Sequence, residues 1–108
     1  MNKLFTISSA DFYKKDFQDD FSEFEDLIPI IQEVQNNLTL EKIQCVDFND
    51  CCKETKMNFF AEIQGVVDEE GTFYFKDEID QVGKMFDLFV IRIYKCSNCG
   101  KWIIDILE

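Results

Sequence analysis

Cys96 and Cys99 stand three residues apart in the run Tyr94-Lys95-Cys96-Ser97-Asn98-Cys99-Gly100-Lys101-Trp102, with a glycine directly after the second thiol. Two thiols on a tight turn suit tetrahedral coordination of a soft divalent metal. The other cysteines are Cys45, Cys51 and Cys52, so the total is five. An odd number does not close a disulfide framework, and clustered thiols in a reducing compartment point to metal or redox chemistry instead. There is no histidine, so a metal site would be built from thiolates alone. The expected ligands are Cys51, Cys52, Cys96 and Cys99, with Cys45 as the alternate to one of the first pair. Lys53, Lys56, Lys95 and Lys101 lie beside them in sequence and would offset the residual negative charge. The competing possibility is that the cysteines are small buried apolar residues, which the strand context favours for Cys45.

The nine residues from Tyr94 to Trp102 resemble the knuckle of zinc-ribbon proteins, in which a β-hairpin folds around a Cys-x-x-Cys-Gly turn. The resemblance implies that Cys96 and Cys99 each donate a thiolate to zinc and that Gly100 lets the chain reverse. A full zinc ribbon carries a second Cys-x-x-Cys. This chain offers the adjacent pair Cys51 and Cys52 in its place. A zinc held by four protein ligands is structural and leaves no position for substrate. The redox alternative for Cys96 and Cys99 requires a helix to start at the thiols and lower their pKa. Gly100-Lys101-Trp102 and the β-formers that follow make a poor helix start.

Other catalytic signals are absent from the sequence. Without histidine there is no ready general base near neutral pH, and no glycine-rich phosphate loop occurs. The expectation is a protein that is not an enzyme.

Charge supplies the second signal. The formal net charge is −11. Residues 11–26 hold seven acids against two lysines, and residues 68–80 hold six acids against one lysine. These two segments carry nearly all the excess. Direct binding to nucleic acid is disfavoured, because affinity for phosphate comes from basic side chains. A basic protein partner is favoured. Asp19, Asp20, Glu23, Glu25, Asp68, Glu69 and Glu70 are the candidate contacts. Bacterial immunity proteins, antitoxins and phage-encoded nucleic-acid mimics are similar in size and charge, so an inhibitor of a basic protein is the leading expectation. A zinc-stabilised accessory or regulatory domain is the alternative, and a thiol-redox protein the third. The acidity would also serve as a solvated surface that keeps the protein soluble.

The elements that must position these groups follow from patterning. At 108 residues the chain is expected to be one domain, residues 1–108. Twelve phenylalanines supply much of its core. Ser8 or Ser9 would cap a first helix carrying Phe12, Phe17, Phe21, Phe24 and Leu27 or Ile28 as its apolar stripe. Pro29 marks a break or sits in the first turn of a second helix capped by Asp26, with Asn36 and Asn37 as its stop. Strands are predicted over 38–46, 57–67, 72–75, 88–94 and 102–107, with a hairpin turn at Asp68-Glu69-Glu70-Gly71. Residues 76–84 read as a loop or short helical turn. The predicted fold is α+β, an N-terminal helical pair packed on a four- or five-stranded antiparallel sheet. The N-terminal apolar patch ends at Asp11, too short for a signal peptide, and no run is long enough for a membrane span. The expected location is the cytoplasm.

Overall fold

The computed structural model describes residues 3–49, 51–75 and 86–107. Its body is a five-stranded antiparallel sheet. Two N-terminal strands come first, β1 (Lys3–Ile7) and β2 (Ala10–Tyr13), then a 3-10 turn at Lys14–Asp16. One irregular helical segment follows, made of α1 (Phe21–Phe24), a 3-10 turn (Glu25–Leu27), α2 (Ile28–Val34) and a closing 3-10 turn (Gln35–Asn37). The sheet strands are β3 (Glu41–Gln44), β4 (Met57–Val67), β5 (Phe73–Phe75), β6 (Asp87–Cys96) and β7 (Trp102–Leu107).

The sheet order is β3-β4-β6-β7, and β5 shares the outer edge of β4 with β3. β3 pairs with the first residues of β4 and β5 with the last three. β6 pairs along ten positions of β4, from Asn58↔Cys96 to Val67↔Asp87. The interior placement expected for β6 therefore holds. The turn after β4 also forms as expected: Asp68 accepts from the N–H groups of Glu70 and Thr72 at 2.9 Å each, and Gly71 adopts φ +86°. The segment 76–84, expected as a loop or short helical turn, lies outside the described residues.

The predicted helical pair is corrected. Residues 3–13, expected to open a helix, form a two-stranded hairpin, and one helical segment remains among the described residues. Ser8 and Ser9 do not cap a helix. They are the two central residues of the hairpin turn, at φ +50° and +70°, the left-handed pair that a two-residue hairpin requires. Phe5 and Ile7 alternate with Leu4 and Thr6, and both point into the core, which is strand periodicity. The spacing of five between Phe12 and Phe17 is not helical. The helical cap falls instead on Asp20, whose carboxylate accepts from the N–H of Ser22 at 3.1 Å. Pro29 does sit in the first turn of α2, where its missing N–H costs nothing, but no side chain caps that end.

The apolar stripe nonetheless converges on one place. Phe5 and Phe12 stack at 4.8 Å and each meets Trp102 edge-on at 5.4 Å, while Phe17 lies 4.7 Å from the same indole. Trp102 is 1% exposed, and its Nε1–H donates to the Tyr13 carbonyl at 2.8 Å. Beneath this layer one sheet face presents Ala61, Ile63, Ile91, Ile93 and Ile104, all buried. Two glutamines fix the helix against β1: Gln35 accepts from the Thr6 N–H at 2.9 Å and Gln32 donates to the Leu4 carbonyl at 2.8 Å. No helix among the described residues is long and apolar enough to cross a membrane.

Candidate metal centre

Antiparallel pairing of β4 with β6 brings the start of β4 beside the end of β6, at Asn58↔Cys96. The loop before β4 and the turn after β6 must therefore meet. They carry Cys51 and Cys52, and Cys96 and Cys99, respectively. The four Sγ atoms all lie within 4.8 Å of one another. Cys51 and Cys99 approach to 3.0 Å, and Cys52 and Cys96 to 3.7 Å. A tetrahedron of thiolates around zinc, with bonds of about 2.3 Å, places its sulfurs about 3.8 Å apart. The observed spacings bracket that value, so the four residues fit such an ion.

Each half of the cluster is held by backbone hydrogen bonds. In the knuckle, the Cys96 N–H donates to the Lys101 carbonyl at 2.8 Å and the Gly100 N–H to the Cys96 carbonyl at 3.2 Å. Gly100 takes φ +82°, a conformation open to glycine at no steric cost, as the sequence led one to expect. The Asn98 N–H points at Cys96 Sγ from 3.4 Å. In the β3–β4 loop, the Asn49 N–H donates to the Thr55 carbonyl at 2.9 Å and the Lys53 N–H to the Asn49 carbonyl at 2.7 Å. Lys53 adopts φ +56°. That left-handed residue ends the turn carrying Cys51 and Cys52, and both neighbouring thiols join the cluster.

A layer of asparagines supports the sulfurs. Asn49 Nδ2 donates to Cys96 Sγ at 3.1 Å and to the Met57 carbonyl at 3.2 Å. Asn58, 8% exposed, donates to Asn49 Oδ1 at 2.8 Å and to Cys45 Sγ at 3.3 Å. Asn98 Nδ2 reaches Cys52 Sγ at 3.5 Å. None of these three was singled out from the sequence. Asparagine is common in turns for backbone reasons, which conceals a role toward sulfur.

Electrostatics divides the thiols. Burial pushes Cys96 up, but hydrogen bonds from the backbone of Cys99 and Asn98 and from the Asn49 side chain outweigh it and bring the thiol down to about 6. Burial, followed by hydrogen bonding to Cys99 and Cys96, pushes Cys51 far up. Cys96 therefore holds a negative charge more readily than Cys51. A bound cation would displace the remaining protons.

Cys45 lies outside the group of four; it contacts Asn58 instead. Two of the flanking lysines make direct contacts of their own. Lys95 donates to the carbonyls of Asp11 and Gly100 at 3.0 Å each and lies 4.7 Å over the Phe12 ring. Lys56 lies 5.1 Å over Phe48. The Cys96–Cys99 turn joins two strands and begins no helix.

The acidic candidates occupy two places. Asp19 and Asp20 follow Gln18, whose N–H donates to the Trp102 carbonyl at 3.0 Å near the cysteine end of the sheet. Glu23 and Glu25 are exposed on the helical segment just after them. Asp68, Glu69 and Glu70 form the turn at the opposite end of β4. At about 3.4 Å per residue, that strand separates its two ends by roughly 30 Å. Asp20 and Asp68 are also engaged locally, as a helix cap and as a turn acceptor. Comparison with protein-family models, curated proteins and solved structures found no match.

Proposed function

We propose that the chain is a zinc-stabilised binding domain, an accessory or regulatory module with no catalysis of its own. The observation that supports it best is the convergence of Cys51, Cys52, Cys96 and Cys99 within 4.8 Å from segments more than forty residues apart in sequence. Four protein thiolates would fill a zinc tetrahedron and leave no open position, which suits a structural ion. The ion would clamp the β3–β4 loop to the β6–β7 turn. Free thiolates of this kind persist in a reducing compartment, in keeping with the cytoplasm. The net charge of −11 favours a basic protein as the binding partner, and inhibition of such a protein is one use to which the domain would be put.

The test is the metal content of protein purified without added metal. One zinc per chain is expected. Cys99→Ser should lower the zinc affinity sharply, whereas Cys45→Ser should retain one ion. A stoichiometry near zero, with all five thiols freely titratable, rejects the metal.

A further inference from the structure

The face of the sheet that carries Cys96 also carries a cleft of about 660 Å³ beside the thiol cluster. One wall is the β3–β4 loop, with Val46, Asp47 and Phe48; the other is the start of β7 and its neighbour, with Ile103, Asp105 and Tyr94. Val46 is 87% exposed, Phe48 54% and Ile103 40%. These are among the few large apolar side chains left on the surface among the described residues, and they gather at a single concavity. Clustered exposed apolar groups with a polar rim are the mark of an interaction site. Asp47 and Asp105 supply negative charge in the walls, and Lys101 is the cation that lines them.

The geometry points to this cleft as the docking site for an extended segment of a basic protein, one that alternates apolar residues with Lys or Arg. Charge selects this occupant over the others. A second copy would bring another −11, and an anionic lipid surface or nucleic acid would meet the same repulsion. An apolar–basic segment instead covers Val46, Phe48 and Ile103 while its cations face Asp47 and Asp105. The site differs from the N-terminal acidic cluster, where the cleft beside Glu25 is lined by Leu4, Phe21, Ile28 and Pro29 but also by Lys3 and Lys14, whose charge opposes a basic segment. It builds on the zinc reading in one respect: the ion would fix the loop that forms one wall.

The experiment measures binding of two fluorescent peptide pools to the purified full chain, with zinc content determined on the same sample. One pool alternates Lys or Arg with Val, Ile, Leu or Phe; the other replaces its cations with Asp and Glu. The basic pool should bind, more weakly as salt is raised, and the acidic pool should not. Phe48→Ser and Ile103→Ser leave net charge unchanged and alter exposed positions. Each should weaken binding by about tenfold or more while retaining zinc and thermal stability. Equal binding by both variants and the wild type would mean general charge attraction and overturns the proposal. So does equal binding of the two pools, or concentration-dependent self-association that the same variants abolish. One zinc per chain with no peptide binding removes the docking site and leaves the metal. Peptide binding without zinc removes the metal and leaves the docking site.

Discussion

The two faces of the sheet are built on different principles. On one, Ala61, Ile63, Ile91, Ile93 and Ile104 lie under a sealed layer of Phe5, Phe12, Phe17 and Trp102. On the other, the paired positions read Phe60–Tyr94–Ile103 and Glu62–Arg92–Asp105, ending at Asn58–Cys96 and the thiols. The first face is held by burial and aromatic contact. The second has a ring contact, Phe60 with Tyr94 at 5.1 Å, together with hydrogen bonds, an ion pair and, on the present proposal, a metal. The difference teaches that the fold and the site depend on separate interactions, although Lys95 and Cys96 are neighbours in one strand. Damage to the first should unfold the molecule, and damage to the second should change what it binds.

Trp102→Ala tests that division with the largest effect. The indole joins both strands of the N-terminal hairpin, Phe17 and β7, and its Nε1–H satisfies the Tyr13 carbonyl. Its removal should cost about 3–5 kcal/mol, seen as a lowered midpoint in urea unfolding. If stability barely changed, the aromatic layer would not be the principal support of the fold. Gly65→Ala is next on the same face. A Cβ there would run into the Phe73 ring and lie 2.7 Å from the Tyr74 carbonyl oxygen. Because the carbonyl belongs to the backbone, β5 must shift, and a loss of about 1–3 kcal/mol is expected.

The sealed face shows why the sequence was only partly legible. β4, the Asp68 turn, β6 and β7 were readable because period-two alternation and turn residues act locally. The N-terminal hairpin was not. Its phenylalanines, Phe5, Phe12 and Phe17, belong to two strands and a connecting segment, yet all meet one indole. Viewed along the chain, that convergence imitates a helical stripe. The Ser8–Ser9 turn lacks the glycine or asparagine that usually announces left-handed backbone. At the site, the Cys96–Cys99 knuckle was legible from spacing. The adjacent Cys51 and Cys52 were harder, because the loop that presents them is set by Lys53 and by hydrogen bonds of Asn49.

Asn49→Ala turns the comparison to the other face. The side chain donates to Cys96 Sγ and the Met57 carbonyl and accepts from Asn58. Groups of this kind orient metal ligands, and their loss typically costs about 10–100-fold in metal affinity. Competition with a chromophoric chelator should show a fall of that size. The unfolding midpoint of the metal-free protein should move much less than in Trp102→Ala. If both changed together, the two faces would not be energetically separate.

The smallest effect belongs to the ion pair. Arg92 Nε donates to Glu62 Oε2 at 2.8 Å, and Gln64 Nε2 donates to Glu62 Oε1 at 3.0 Å. The Gln64 bond first, then that from Arg92, holds the Glu62 carboxyl below the usual glutamate value. The native state therefore binds this proton less readily than the unfolded chain. The stabilisation is fully present above the unfolded pKa of about 4.3 and disappears as pH falls through the lower native value. Glu62→Gln removes this contribution, so the stability difference between wild type and variant should shrink as the solution is acidified below that range. Both side chains are partly solvated, so at neutral pH the difference should be small and smaller still in high salt. A difference that persisted unchanged into acid would show that Glu62 acts through packing, and this face of the sheet would then resemble the sealed one more closely than its charges suggest.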